Sequence, residues 1–103
     1  MTERKGPMFN PPHPGEILRE DILPSYNMSL REFAARIAVA PSTLSRVLNC
    51  ESAISPEMAL RLERALATSA TMWLNMQQDY DLWQLRQHLR LDDIHKIAVT
   101  EAV

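Results

Sequence analysis

The sequence predicts an all-α domain of five to six helices, on three observations. Only two of its 103 residues are Gly. Three of its seven Pro, at positions 14, 41 and 56, stand where a helix can begin. No stretch alternates apolar and polar residues over the length of a strand, whereas apolar residues recur at i, i+3, i+4 and i+7 in several places.

The elements follow in order. Residues 1–12 read as a flexible N-terminal arm, because "NPPHP" favours extended backbone and cannot open a helix before its last Pro. His13 then precedes Pro14 at a first helical position, and Ile17, Leu18 and Ile22 form an apolar edge that Pro24 is expected to stop. Ser29 with Glu32 three residues on makes a capping box for a second helix at about 29–37, with Leu30, Phe33, Ala34 and Ile37 on one face. Pro41 opens a third helix at about 41–49. Its buried edge is Leu44, Val47 and Leu48, and its polar residues Ser42, Ser45, Arg46 and Asn49 keep their own helical spacing. Ser55 and Pro56 cap and open a fourth helix, with Met58, Ala59, Leu62, Ala65 and Leu66 inward. A long fifth helix at about 72–89 carries two apolar stripes. Met72, Trp73, Met76, Tyr80 and Trp83 form one, and Leu74, Leu82, Leu85 and Leu89 the other. A short last helix is expected around Asp92–Ile97, before a C-terminal tail at 98–103. The folded domain is thus expected over 13–97.

Composition excludes several classes. Length fits one domain. No run approaches the ~18 apolar residues of a membrane span, and no apolar segment follows the basic residues near the N-terminus, so a cytoplasmic protein is expected, with no membrane partner. A single Cys, Cys50, forms no internal disulfide, and the scattered His13, His88 and His95 offer no metal-ligand spacing, so neither metal nor cofactor is expected. His13 is better explained as a helix-start residue. No phosphate-cradling Gly-rich loop or nucleophile–base set points to an enzyme. The formal charge is -2, yet residues 29–49 hold three Arg against one Glu, while the segment 50–103 is acidic.

That basic stretch contains the second helix, a short turn and the third helix, the spacing of a helix-turn-helix. Such a pair works when the second helix holds the third by its apolar edge, leaving the opposite edge narrow enough for a DNA major groove about 12 Å wide. Short polar side chains permit close approach, and an Arg can bond guanine O6 and N7 together. Ala40 cannot cap the third helix with a side chain. The Ser42 and Thr43 amides are therefore open to a DNA phosphate or to water.

On these residues the chain resembles the lambda-repressor-like (XRE) helix-turn-helix superfamily. More narrowly, "HPGEIL" (13–18), "SLREFA" (29–34), "APSTLSRVL" (40–48), "SPEMALRL" (55–62) and "MWLNMQQDYDLW" (72–83) resemble the HigA-type, or VapI-like, antitoxins. The resemblance implies a homodimer that binds a palindromic double-stranded operator, represses its own operon and neutralises a small basic RelE-like mRNA interferase. It places base contacts on Ser42, Thr43, Ser45 and Arg46, with Asn49 at the helix end, and phosphate contacts on Ser29 and Arg31. Two departures stand out. Ala38 replaces the family's usual Gly at the first turn position, at about 1 kcal/mol for a left-handed backbone. Cys50-Glu51 replaces the usual Gly-Lys after the third helix, which removes a basic phosphate contact.

Other readings remain open at this stage. The stripe Leu74, Leu82, Leu85 and Leu89 either lies under the last helix or forms a dimer seam, which pairing of two half-sites favours. Trp73 and Trp83 are expected in the core. Arg4 and Lys5 are expected in a free tail rather than on DNA. The acidic region 50–103 suits a basic toxin, and a solitary transcriptional regulator without a toxin partner is the alternative.

Overall fold

A computed structural model describes residues 10–99. Arg4, Lys5 and most of the predicted arm and tail lie outside the described residues. Among those described, the secondary structure is helical, with no strand. The first helix, α1, is one rod in three parts, Pro14–Ile17, a π-helical Leu18–Ile22 and Leu23–Ser25. α2 is Leu30–Arg36, α3 Pro41–Leu48, α4 Pro56–Leu66 and α5 Ala70–His88.

The starts follow from the caps. His13 Nδ1 accepts the Gly15 amide at 2.8 Å, as expected of a helix-start residue. Ser29 and Glu32 form the full capping box at 2.9 and 3.1 Å. Ser55 and Ser69 accept the Met58 and Met72 amides. The last of these sets the start of α5 at Ala70 rather than about 72.

The ends follow a rule that uses no Gly. After α1, α2 and α3 the chain turns through a left-handed residue, Asn27 (φ 55), Ala38 (φ 57) and Cys50 (φ 62). Each is a Schellman turn, in which two amides bond back to the last carbonyls: Met28 to Leu23 and Asn27 to Pro24, Val39 to Ala34 and Ala38 to Ala35, Glu51 to Arg46 and Cys50 to Val47. Ala67 (φ 57) ends α4 with a single such bond to Glu63. Both family-Gly positions held here by Ala38 and Cys50 are thus left-handed, at about 1–2 kcal/mol each.

The helices close on one core. Leu18, Phe33, Leu44, Leu48, Leu62 and Trp73 are buried at its centre, with Val47, Ile54, Met58 and Ala59 around them. α1 packs on both α3 and α5, α2 on α3, and α4 on α5.

Five expectations need correction. Ala65, expected inward on α4, is exposed. Pro24 does not stop α1 but lies inside its last turn. A regular helix would press its ring on the Glu20 carbonyl, and the π-helical widening just before it, where the Leu23 amide bonds Leu18, opens that turn. No helix forms at Asp92–Ile97, where the chain makes one turn, Ile94 to Leu91 at 3.0 Å, and is otherwise extended and exposed. Without a face to bury, six residues cannot offset the cost of helix nucleation. The core-facing line of α5 is Trp73 and Gln77, flanked by half-buried Tyr80 and Gln84, so Met72 is exposed and Trp83 only half-buried. Finally, Leu74 packs against the core and separates from Leu82, Leu85 and Leu89, which stay exposed.

Candidate nucleic-acid interface

α2, the turn 37–40 and α3 form a helix-turn-helix whose outer edge is the polar face of α3. Leu44, Val47 and Leu48 are buried, which turns Ser42, Arg46 and Asn49 outward, with Ser45 half-exposed beside them. Asn49 Nδ2 donates weakly to Ser45 Oγ at 3.5 Å, and Arg46 has no acidic partner among the described residues. Thr43 is set apart from this group. It is half-buried on the flank of α3 and lines a small cleft of about 160 Å³ with Val39, Ser55, Met58 and Arg61. Arg31 is exposed on α2. Ser29 Oγ is engaged in the capping box, which leaves its hydroxyl hydrogen as the donor for a phosphate.

The N-terminus of α3 is less open than the sequence implies. Ala40 has no side-chain cap, but the Thr43 amide folds back to the Ala40 carbonyl at 3.0 Å. Among the described residues only the Ser42 amide of that pair lacks an acceptor.

Four residues that sequence reasoning missed hold this edge in place. Gly15 lets α1 touch the backbone of α3, since a Cβ there would lie 2.8 Å from the Val47 carbonyl carbon and closer still to its oxygen. Arg19 donates from Nη1 to the Leu48 carbonyl at 2.7 Å, closing the C-terminus of α3, while its Nε holds Glu20 at 2.9 Å. That bond to Glu20 raises the guanidinium above its ordinary pKa. Arg61 reaches from α4 to the Ile37 and Ala38 carbonyls at 2.9 and 3.2 Å, steadied by Glu57 at 2.8 Å. Gln77 is buried, accepts the Ile54 amide at 2.8 Å and donates to Asp81 at 3.0 Å, which ties α5 to the loop after α3. Both Arg thus satisfy the open carbonyls at the ends of α2 and α3, and their positive charge suits a helix C-terminus. Gly15 alone left a sequence signal, as the sole Gly among the described residues and one that stands within a helix.

His13 joins the same framework. Its ring is buried, edge-on to Tyr80 with centroids 4.9 Å apart. Burial pushes its pKa below the ordinary 6.5, against the raising effects of Asp81, the Ser52 backbone and Glu16.

Beyond the polar edge of α3, α5 offers an apolar surface. Leu82, Leu85 and Leu89 are 37, 51 and 54% exposed, too much for a core contact within one chain. No helix among the described residues is long and apolar enough to cross a membrane.

Residues 18–73 match the family model described as helix-turn-helix. An uncharacterized HTH-type transcriptional regulator of Escherichia coli, YddM, is 41% identical over 90 residues, covering 87% of this chain and 92% of its own. The Pseudomonas aeruginosa protein PA4674, solved in complex with its 18 bp operator DNA, superposes with a TM-score of 0.79 at 32% identity, over 90% of this chain and 100% of its own. The antitoxin HigA of the same organism, solved with the higBA promoter, gives 0.77 at 34% identity, over 85% and 96%. With the family model spanning more than half its length and such relatives covering most of it, this chain belongs to the XRE-type helix-turn-helix family, among relatives that include HigA antitoxins.

Proposed function

We propose that the protein is a cytoplasmic, sequence-specific operator-binding repressor that acts as a homodimer and as the antitoxin of a type II toxin–antitoxin pair. The observation that carries this reading is the face of α3. Ser42, Ser45, Arg46 and Asn49 stand outward while Arg61 and Arg19 fix the C-terminal ends of α2 and α3. In this reading Arg46 bonds guanine O6 and N7, Ser42, Ser45 and Asn49 approach neighbouring base edges, and Thr43 reads from the flank. Ser29 and Arg31 bind phosphates and set the register. Leu82, Leu85 and Leu89 form the dimer seam that spaces two recognition helices about one DNA turn apart on a palindromic operator.

Arg46→Ala tests the DNA reading. One good bidentate contact is worth about 1–3 kcal/mol of discrimination, so the mutant loses roughly 5- to 150-fold in preference for its operator over random duplex. Its melting temperature stays near that of the wild type, because the side chain is exposed. Unchanged discrimination in gel-shift titrations would remove Arg46 from base reading.

The toxin reading rests on the resemblance to HigA antitoxins and on the acidic balance of residues 50–103, which suits a basic RelE-like mRNA interferase. Co-expression with the adjacent open reading frame tests it. A toxic small basic protein that co-purifies supports the pair, whereas a harmless neighbour leaves a solitary regulator.

A further inference from the structure

A cleft beside the interhelix turn takes no part in the DNA reading proposed above. α2 and α4 enclose about 410 Å³ between Arg36, Leu60, Arg61 and Arg64, and a second hollow of about 170 Å³ adjoins it across Arg36 and Ala65, reaching Tyr26. Arg61 is engaged with Glu57, but Arg36 and Arg64 have no acidic partner among the described residues. Leu60 and Tyr26 are 58 and 55% exposed. The surface therefore combines free positive charge with uncovered apolar area, and asks for an acidic segment that also carries apolar side chains.

DNA does not fit that description. Arg31 and Arg36 are five residues apart on α2, about 140° around the helix, so a phosphate contact at Arg31 turns Arg36 away from the duplex. Exposed Leu60 and Tyr26 add nothing to phosphate binding, while Glu57 on the same wall is paired with Arg61.

The chain itself contains the complement. After α5 the extended segment 89–99 presents Leu91, Asp92, Asp93 and Ile94, two acids between two exposed apolar residues. Asp92 meets only Arg90, in a fully solvated pair at 2.9 Å, and Asp93 has no basic partner among the described residues. We propose that residues 90–94 of one protomer dock in the Arg36–Arg64 cleft of a second copy, with Asp92 and Asp93 against Arg36 and Arg64 and with Leu91 and Ile94 over Leu60 and Tyr26. Fully extended, the five residues span up to about 17 Å, a length that opening of the turn between Leu91 and Ile94 makes available. The exchange rests on the homodimer proposed above and adds to the leucine seam a second, charge-selective contact.

Charge exchange tests it on the full-length protein. Arg36→Glu with Arg64→Glu, and separately Asp92→Arg with Asp93→Arg, each replace two attractive pairs by two repulsive ones, and each is expected to raise the self-association constant Kd about tenfold by sedimentation equilibrium. All four changes in one chain restore it to within about threefold of wild type, because the pairs are re-formed with the signs exchanged. The sites are exposed, so melting temperatures at high protein concentration check that each variant folds. Kd unmoved by either pair, or unrepaired by the four together, overturns the docking while leaving the dimer intact. A protein monomeric at every concentration overturns the dimer as well. Loss of operator binding with unchanged self-association in the Arg36→Glu, Arg64→Glu protein assigns the cleft to DNA and also overturns the docking.

Discussion

Gly15→Ala probes how the recognition helix is seated. A Cβ at this position would stand 2.8 Å from the Val47 carbonyl carbon and 3.0 Å from His13 Nδ1. Ordinary carbon contact begins near 3.5 Å, and the Val47 oxygen stands nearer than its carbon, so α1 must withdraw from α3 by about 1 Å or more. The obstacle is the backbone of α3, which cannot swing aside as a flexible side chain does, so the cost falls at the upper end of the 1–3 kcal/mol range for overpacking, at about 3 kcal/mol. The better helix propensity of Ala returns about 1 kcal/mol. A net loss of about 2 kcal/mol in a domain of this size lowers Tm by roughly 10 °C. Circular dichroism melts measure this, and gel shifts on the same protein should show operator affinity falling more than affinity for random duplex, since the displaced element is the reading helix itself. A Tm within about 2 °C of wild type, with discrimination intact, would mean that α1 does not set the position of α3.

Three further substitutions test the frame around that contact. Ala38→Gly relieves a left-handed residue (φ 57) in the interhelix turn and should stabilise the fold by about 1 kcal/mol, raising the urea midpoint without changing the slope. A lowered midpoint would show that the methyl group contributes packing there. Gln77→Met fills a similar volume but strands the buried Ile54 amide, at about 1–3 kcal/mol, and a neutral result in the same urea titration would mean that water reaches that amide. His13 is neutral in the fold, because Nδ1 accepts from Gly15 and burial holds its pKa below 6.5, whereas the unfolded chain protonates at the ordinary value. Its contribution is therefore complete above pH 6.5 and is lost as the pH falls through the lower folded-state pKa. Asp81 and Glu16 act against the shift and narrow that window. His13→Asn keeps a cap acceptor and should flatten the decline in urea midpoint over this range, and an undiminished slope would assign the decline to other groups.

What the sequence made legible were the features governed by neighbours along the chain. The capping box at Ser29 and Glu32, the polar spacing of Ser42, Ser45, Arg46 and Asn49, and the helix starts at Pro14, Pro41 and Pro56 all depend on residues within one or two turns, and each is found where expected. The misses share the opposite character. Arg19 and Arg61 act on carbonyls 29 and 24 residues away, and Gln77 on an amide 23 residues away, so no local pattern marks them. A helix at 92–97 fails for the same reason, because its apolar residues find no surface to meet. Even the passage of α1 through Pro24 depends on a π-helical turn that no local pattern marks. The consequence for function is direct. A short polar face can be read from four residues, but its aim at a groove depends on distant groups that close α2 and α3 at their carbonyl ends. Substitutions at Gly15, Arg19 or Arg61, none of which stands on the outer face of α3, should therefore degrade sequence discrimination as Arg46→Ala does, but with a fall in Tm that Arg46→Ala lacks. The paired readout separates residues that touch bases from residues that orient them.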